Sequence, residues 1–302
     1  MTGTTATDKP WEPGTGRFAP SPTVALHLGS LTTATASFLD ARHHGGQWLL
    51  RMEDLDRPRA VPGAADGILR DLESLGFWWD GPVVYQSQRL PLYQEAVAAL
   101  EVRGLAYPCS CTRRDQGATD DAGGYPGTCR AGPQRPGATA MRFRADLSRV
   151  GPFVDRLQGP VDVDPSALGD PVIRRRDGIY AYQLAVVVDD ANQGVTDVVR
   201  GADLLPSSCW QRSLQRALGL PEPRYAHLPL VCEPDGAKLS KSARTAGLQG
   251  GSGTERIWRV LALLRQSPPP ALAQANLPEL WAWAISHWRP GALRGVASLP
   301  AD

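Results

Sequence analysis

The spacing of apolar positions changes period several times along the chain. A short run at 15–18 has β character and enters a turn built on Pro20 and Pro22. Positions 31–42 repeat at helical spacing and stop before Gly45 and Gly46, which predicts a helix. A buried strand is expected at 47–52. A helix follows at 62–75, with Pro62 near its start, and an amphipathic helix at 90–103. Strand–helix alternation of this kind implies an α/β fold with a parallel sheet. Between 107 and about 176 glycine, proline and arginine dominate and apolar runs are short, which reads as an inserted domain. Alternation resumes at 182–188, Y-Q-L-A-V-V-V, a near-continuous apolar run of the kind a central parallel strand carries. A helix at 206–218, closed by Gly219, and a last strand at 225–231 complete the sheet. Two short helices are expected at 255–265 and 277–288, after Gly250-Gly251-Ser252-Gly253, which reads as a flexible linker. The expected division is a disordered tail at 1–15 and a first half of the α/β domain at 16–104. The insertion occupies 105–180, the second half of the domain 181–248, and a helical C-terminal region 254–302.

Composition narrows the class. The 302 residues are 42% hydrophobic and 21% charged, ordinary for a soluble globular protein, and no run approaches the ~20 apolar residues of a membrane span. The first sixteen residues lack the apolar core of a secretory signal. An odd number of cysteines, five, argues for a reducing cytoplasm over a disulfide scaffold. A formal net charge of +1 means that any RNA-binding surface must be a local patch. The insertion offers Arg113, Arg114, Arg130, Arg135, Arg142 and Arg144 for it.

Two segments carry candidate chemistry. Against 29 arginines the chain has three lysines, and two of these, Lys238 and Lys241, stand in K-L-S-K-S at 238–242. A compact ammonium on a flexible stem suits phosphate contact as a point charge. Near the other end, His27-Leu28-Gly29-Ser30 sits where a strand–turn segment enters the first helix, with Ser30 able to cap it. Backbone N–H groups and the positive helix end there would receive an anion, and His27 can donate to a phosphate oxygen. In the insertion, Cys109-Ser110-Cys111 and Cys129 in a glycine-rich loop have the spacing of a small zinc site. Spacing leaves the fourth ligand open, with Asp120 and Asp121 available.

Together, R-F-A-P-S-P-T-V-A-L-H-L-G-S at 17–30 and K-L-S-K-S resemble the two signatures of class I aminoacyl-tRNA synthetases, in their glutamyl/glutaminyl form. R-M-E-D-L-D at 51–56, Y-Q-S-Q-R at 85–89, Y-Q-L-A-V-V-V-D-D at 182–190 and V-V-R-G-A-D-L-L at 198–205 agree, in unbroken order. Only 60 residues follow Ser242, too few for a glutamyl-tRNA synthetase's anticodon-binding region. The chain therefore resembles the truncated glutamyl-Q tRNA(Asp) synthetase family, which R-A-V-P-G-A at 59–64 and the cysteine cluster also favour.

That resemblance implies a Rossmann-type parallel sheet with an inserted zinc-containing, acceptor-type domain and a short helical C-terminal appendix. It implies activation of L-glutamate with ATP and Mg2+, then transfer to queuosine in tRNA(Asp), by a cytoplasmic monomer that needs no membrane. His27 and Lys241 would be catalytic. Arg17, Phe18, Ala19, Pro20, Ser21, Glu53, Tyr182 and Arg200 would hold glutamate. His27, Gly29, Ser30, Lys238 and Lys241 would hold ATP. One structural Zn2+ would sit on Cys109, Cys111, Cys129 and, by the family pattern, Tyr125. Departures from that pattern are small: Ser30 for the last histidine of the first signature, Val24-Ala25 before it, and Leu239 in the second. A truncated synthetase charging a tRNA 3′ end, and an inactive RNA-binding paralogue, are the competing readings.

Overall fold

The computed structural model describes residues 13–112, 115, 124–146, 150–162, 168–232 and 250–301. Five parallel strands form the central sheet: β1 (Thr15–Phe18), β2 (Gln47–Met52), β3 (Val84–Tyr85), β9 (Asp197–Gly201) and β10 (Arg224–Leu228). Their order is β10-β9-β1-β2-β3. The chain runs outward in one direction from β1 and in the other from β9. The topological switch point therefore lies between β1 and β9, where a parallel sheet opens a crevice at its carboxyl end.

Helix α1 (Leu28–His43) follows β1 and is buried on nearly every side, Leu31, Phe38 and Leu39 being fully enclosed. Its approach to β1 is close: a Cβ on Gly16 would lie 3.2 Å from the Ala41 methyl. Helices α2 (Ala64–Ser74) and α3 (Leu90–Val102) follow β2 and β3. A three-stranded antiparallel sheet is built from β4 (Ala106–Cys109), β5 (Ala140–Phe143) and β8 (Val172–Arg174). Between the last two, β6 (Phe153–Asp155) and β7 (Gly159–Val161) make a hairpin that packs against β10.

The run 182–188 is not the expected central strand. It opens helix α4 (Tyr182–Asn192), and the strand beside β1 is β9. Three consecutive valines favour extended backbone. Here burial of Leu184, Ala185, Val186 and Val187 in one core with α3 and with α5 (Ser207–Leu218) overrides that preference. The helix it opens is eleven residues long, beyond an average strand. The expected last strand splits at Pro229, which has no N–H to donate. After it, β11 (Leu230–Cys232) leaves the sheet and pairs in parallel with β12 (Ser298–Pro300).

The C-terminal region is not an appendage. Helices α6 (Gly253–Leu263) and α7 (Leu277–Ser286) lie against α1. Ile257, Leu261, Leu280 and Trp281 belong to the same hydrophobic core as Phe18, Phe38 and Trp48. The Trp281 ring meets Phe38 and Phe77 edge-on at 4.9 and 4.8 Å, and its Nε1–H donates to the Leu75 carbonyl at 2.9 Å. Nor is 250–253 a free linker. Ser252 caps α6, its hydroxyl accepting from the Glu255 N–H while Glu255 accepts from the Ser252 N–H. Trp281→Ala is expected to destabilise the whole core by ~3–5 kcal/mol, as a lower urea midpoint of a single transition. An independently unfolding C-terminal segment would refute this coupling.

Candidate active site

A cavity of about 580 Å³ opens at the switch point. Its walls include Arg17, Phe18, Ala19, Pro20, Ser21, His27, Gly29, Ser30, Glu53, Tyr182 and Arg200. Every described residue expected against glutamate or ATP is thus gathered in one space. Lys238 and Lys241 lie outside the described residues. The chain reaches 233–249 directly from β11, whose Leu230 and Val231 line the same cavity.

The floor is a buried charge network. Arg17, at the end of β1 and 4% exposed, donates from Nε to Asp190 Oδ1 at 3.2 Å. Arg51, fully buried on β2, donates to the same oxygen at 2.7 Å and lies 3.7 Å from Glu53. Asp189, on the next position of α4, accepts from Gln86, Arg89 and Tyr93. Asp54 accepts from the Ser87 N–H and hydroxyl. The segments 51–56, 85–89 and 182–190 therefore meet in space through Asp54, Asp189 and Asp190. These carboxylates were not singled out from the sequence. Their signal is two acidic residues ending an apolar run, which only a helix turns toward buried arginines.

Arg200 differs from its neighbours. It leaves β9 into the cavity and is 4% exposed. Its Nε donates to His227 Nε2 at 3.0 Å, one terminal nitrogen to Tyr182 Oη at 3.2 Å and the other to Ser208 Oγ at 2.9 Å. All of these acceptors are neutral, and among the described residues no carboxylate forms an ion pair with this guanidinium. A buried cation without a counter-ion is strongly unfavourable. The site is prepared for an anion.

Glu53 follows β2 directly, its N–H donating to the Pro20 carbonyl at 2.9 Å. Burial raises its carboxyl to about 7, against the opposing pull of Arg51 and Arg17. It can therefore give up a proton to pair with a cationic ligand.

At the mouth of α1 the cap is His27, not Ser30. His27 Nδ1 accepts from the Ser30 N–H at 3.2 Å and the Ser30 hydroxyl accepts from the His27 N–H at 2.8 Å. An accepting Nδ1 places the ring proton on Nε2. Ser30 is committed to orienting His27.

A second cavity, of about 1,290 Å³, adjoins the first and shares Ser21, Glu53 and Tyr182 with it. Its far wall carries Cys109, Cys111, Tyr125, Arg142, Arg176 and Trp210. The three sulfurs of Cys109, Cys111 and Cys129 lie within 4.8 Å of one another, the one such cluster among the described residues. Tyr125 Oη is 3.4 and 3.5 Å from the Cys109 and Cys111 sulfurs, and Cys111 and Cys129 are 3.4 Å apart. Tetrahedral zinc with ~2.3 Å bonds separates two sulfurs by roughly 3.8 Å, so this donor set fits the ion with a small expansion. Burial opposes ionisation of the Cys129 thiol. The Tyr125 hydroxyl and nearby backbone amides outweigh it and bring the thiol down to about 6, toward the thiolate a metal needs. Asp120 and Asp121 lie outside the described residues.

The insertion's arginines are less available than expected. Arg130 makes two bonds to Asp170, and Arg135 two to Asp115. Arg142 is buried over the Tyr125 ring and donates to Cys109 Sγ. Arg144 donates to the Arg130 carbonyl, and Arg113 and Arg114 lie outside the described residues.

Residues 15–249 match the family model of tRNA synthetases class I (E and Q), catalytic domain. The chain is 52% identical to glutamyl-Q tRNA(Asp) synthetases of Aromatoleum aromaticum and Dechloromonas aromatica, the matches covering 91% and 96% of it and 89% and 99% of those proteins. The corresponding Pseudomonas aeruginosa protein is 52% identical over 95% of this chain and 97% of its own length. Among solved structures, a glutamate tRNA ligase from Elizabethkingia meningosepticum, in complex with its amino acid, superposes with a TM-score of 0.80. It is 28% identical, over 96% of this chain and 68% of its own.

The Glu53 carboxyl is expected to titrate with a midpoint of about 7 in carbon-13 NMR, a signal absent from Glu53→Gln. Because the protonated form prevails below that midpoint, a ligand bearing an ammonium should bind more tightly as pH rises from about 6 to about 8. A midpoint in the ordinary carboxyl range would overturn this.

Proposed function

The chain belongs to the class I glutamyl- and glutaminyl-tRNA synthetase family and, within it, to the glutamyl-Q tRNA(Asp) synthetases; on that premise we propose that it activates L-glutamate with ATP and transfers the glutamyl group to queuosine at the wobble position of tRNA(Asp). The observation that carries the amino-acid half is Arg200, a buried guanidinium held on neutral acceptors beside Arg17. A carboxylate completes that pair and the neutral amide of glutamine does not. Tyr182 donates to the same carboxylate, Glu53 takes the α-ammonium, and 18–21 line the pocket.

In the first step an oxygen of the substrate α-carboxylate attacks the α-phosphorus of ATP, and pyrophosphate leaves. The nucleophile is already ionised, so no general base is needed. Positioning and charge stabilisation supply the catalysis. His27 donates from Nε2 to the phosphates beside the backbone N–H of Gly29. Lys241, with Lys238, brings positive charge as the phosphates separate. Mg2+ arriving with ATP would neutralise part of the same charge. In the second step a hydroxyl of the acceptor attacks the acyl carbon, the acyl–phosphate bond breaks with its electrons going to AMP, and the departing phosphate oxygen takes the hydroxyl proton.

The larger cavity, continuous with Glu53 and Tyr182, is where the acceptor would enter. A queuosine cyclopentenediol presents vicinal hydroxyls like those of a terminal ribose, so one acyl-transfer geometry serves either. One structural Zn2+ on Cys109, Cys111, Cys129 and Tyr125 braces the wall of that cavity. A monomeric, cytoplasmic enzyme agrees with the described cysteines, all unpaired.

The test is incorporation of labelled glutamate into tRNA(Asp) with and without queuosine, and with the 3′ CCA end removed. Label should require queuosine, survive trimming, and fail after periodate oxidation of the diol. Loss of label on trimming alone would mean conventional charging of the 3′ end. Metal analysis of protein purified without chelators should return one zinc per chain, and Cys129→Ser should lose it.

A further inference from the structure

We infer that His227, held by Asp155 in one neutral tautomer, is a positioning residue that aims Arg200 at the substrate carboxylate and so sets selectivity for an acidic over an amide side chain. This rests on the proposed role of Arg200 as the carboxylate's partner.

The relay is wholly buried. His227 lies on β10 between Ala226 and Leu228, and neither its side chain nor that of Asp155 is exposed. Asp155 ends β6, and its Oδ1 accepts from the N–H groups of Leu157 and Gln158 at 2.9 Å each and of His227 at 3.1 Å. Those bonds fix the carboxylate and leave Oδ2 facing His227 Nδ1 at 2.6 Å. An ionised carboxylate only accepts, so the ring proton sits on Nδ1 and Nε2 carries the lone pair. That lone pair receives Arg200 Nε–H at 3.0 Å. Ser208 Oγ, 3.2 Å from Nε2, holds one terminal nitrogen of Arg200, and the other stands with Tyr182 at the cavity wall.

The choice of an imidazole matters. A carboxylate in its place would grip the guanidinium as well but neutralise it, and would compete with the substrate. A neutral imidazole fixes direction and leaves the charge for the ligand. Burial, with the positive charges of Arg200 and Arg17, outweighs Asp155 and keeps His227 below its ordinary value. The stacked Tyr225 ring adds no charge.

Asp155→Asn tests this with little change of shape. The Asn oxygen can keep the three backbone bonds while its NH2 donates to Nδ1, which moves the ring proton to Nε2 and sets one donor against another, as loss of the triad aspartate does in serine proteases. Nitrogen-15 NMR should show His227 protonated on Nδ1 in the wild type and on Nε2 in the variant. Using queuosine-bearing tRNA(Asp), the variant's KM for glutamate should rise on the order of tenfold or more, with kcat and the KM for ATP within about threefold, and discrimination against glutamine should fall. His227→Gln, which can restore an acceptor near the Nε2 position, should recover part of the loss. A wild-type ring protonated on Nε2, or a switched tautomer with unchanged glutamate KM, would overturn the inference. Arg200→Gln separates it from the reading beneath it. If that variant raises the glutamate KM while Asp155→Asn does not, only the relay fails; if Arg200→Gln leaves it unchanged, the carboxylate site itself is wrong.

Discussion

Burying arginine at the carboxyl end of a parallel sheet is the constraint on which this structure turns. Arg17, Arg51 and Arg200 occupy the ends of β1, β2 and β9, each 4% exposed or less. A charge that deep must be paired or fully hydrogen-bonded. For Arg17 and Arg51 the remedy is α4, which brings Asp190 between them and Asp189 beneath. For Arg200 the remedy is deliberately incomplete, since only neutral acceptors surround it. Of these three guanidiniums, Arg200 alone has no carboxylate partner among the described residues.

This constraint also explains which parts of the fold were legible in the sequence. Helices α2 and α3 and the helices near the end declared themselves by period, because each has one buried and one wet face, as on α2, while α1, buried on nearly every side, was bounded by Gly45 and Gly46 after it. Helix α4 did not. It is buried through most of its length, so its residues carry no polar–apolar alternation to read, and three valines point to the wrong period. The same burial hid Asp155 and His227: a lone acid in a short hairpin and a lone histidine in a strand have no spacing to betray a partner 72 residues away. The cavity residues were legible through the family resemblance, which names side chains but says nothing about what holds them.

Energetically, α1 joins the two halves of the problem. Its N-terminus presents His27 to the cavity, and its buried length takes α6 and α7 on the side away from the sheet. Asp40 on the same helix accepts two bonds from Arg156, next to the hairpin residue that fixes His227, and one from Trp288. Packing at the C-terminal end is thereby connected, through one rigid helix and one hairpin, to the walls of the amino-acid pocket. A helix serving two interfaces has little freedom to tilt, which suits a site whose catalysis depends on position more than on proton transfer.

Two adjoining cavities divide the work of such an enzyme. The smaller is walled by the sheet ends and carries Arg17, Glu53 and Arg200, the charges proposed to recognise an amino acid, so its geometry is inherited from the core. The larger takes much of its wall from the antiparallel region around the cysteine cluster, where Arg142 and Arg176 bond to Cys109 Sγ and the Cys111 carbonyl. Changing the acceptor therefore does not require disturbing the activation site. Among the described residues Ser21, Glu53 and Tyr182 face both spaces, which on the proposed function is where an activated carboxyl would meet an incoming hydroxyl. On the proposed function, selectivity for the amino acid and selectivity for the RNA would be alterable separately, the first through the inferred relay behind Arg200 and the second through the wall around the cysteine cluster.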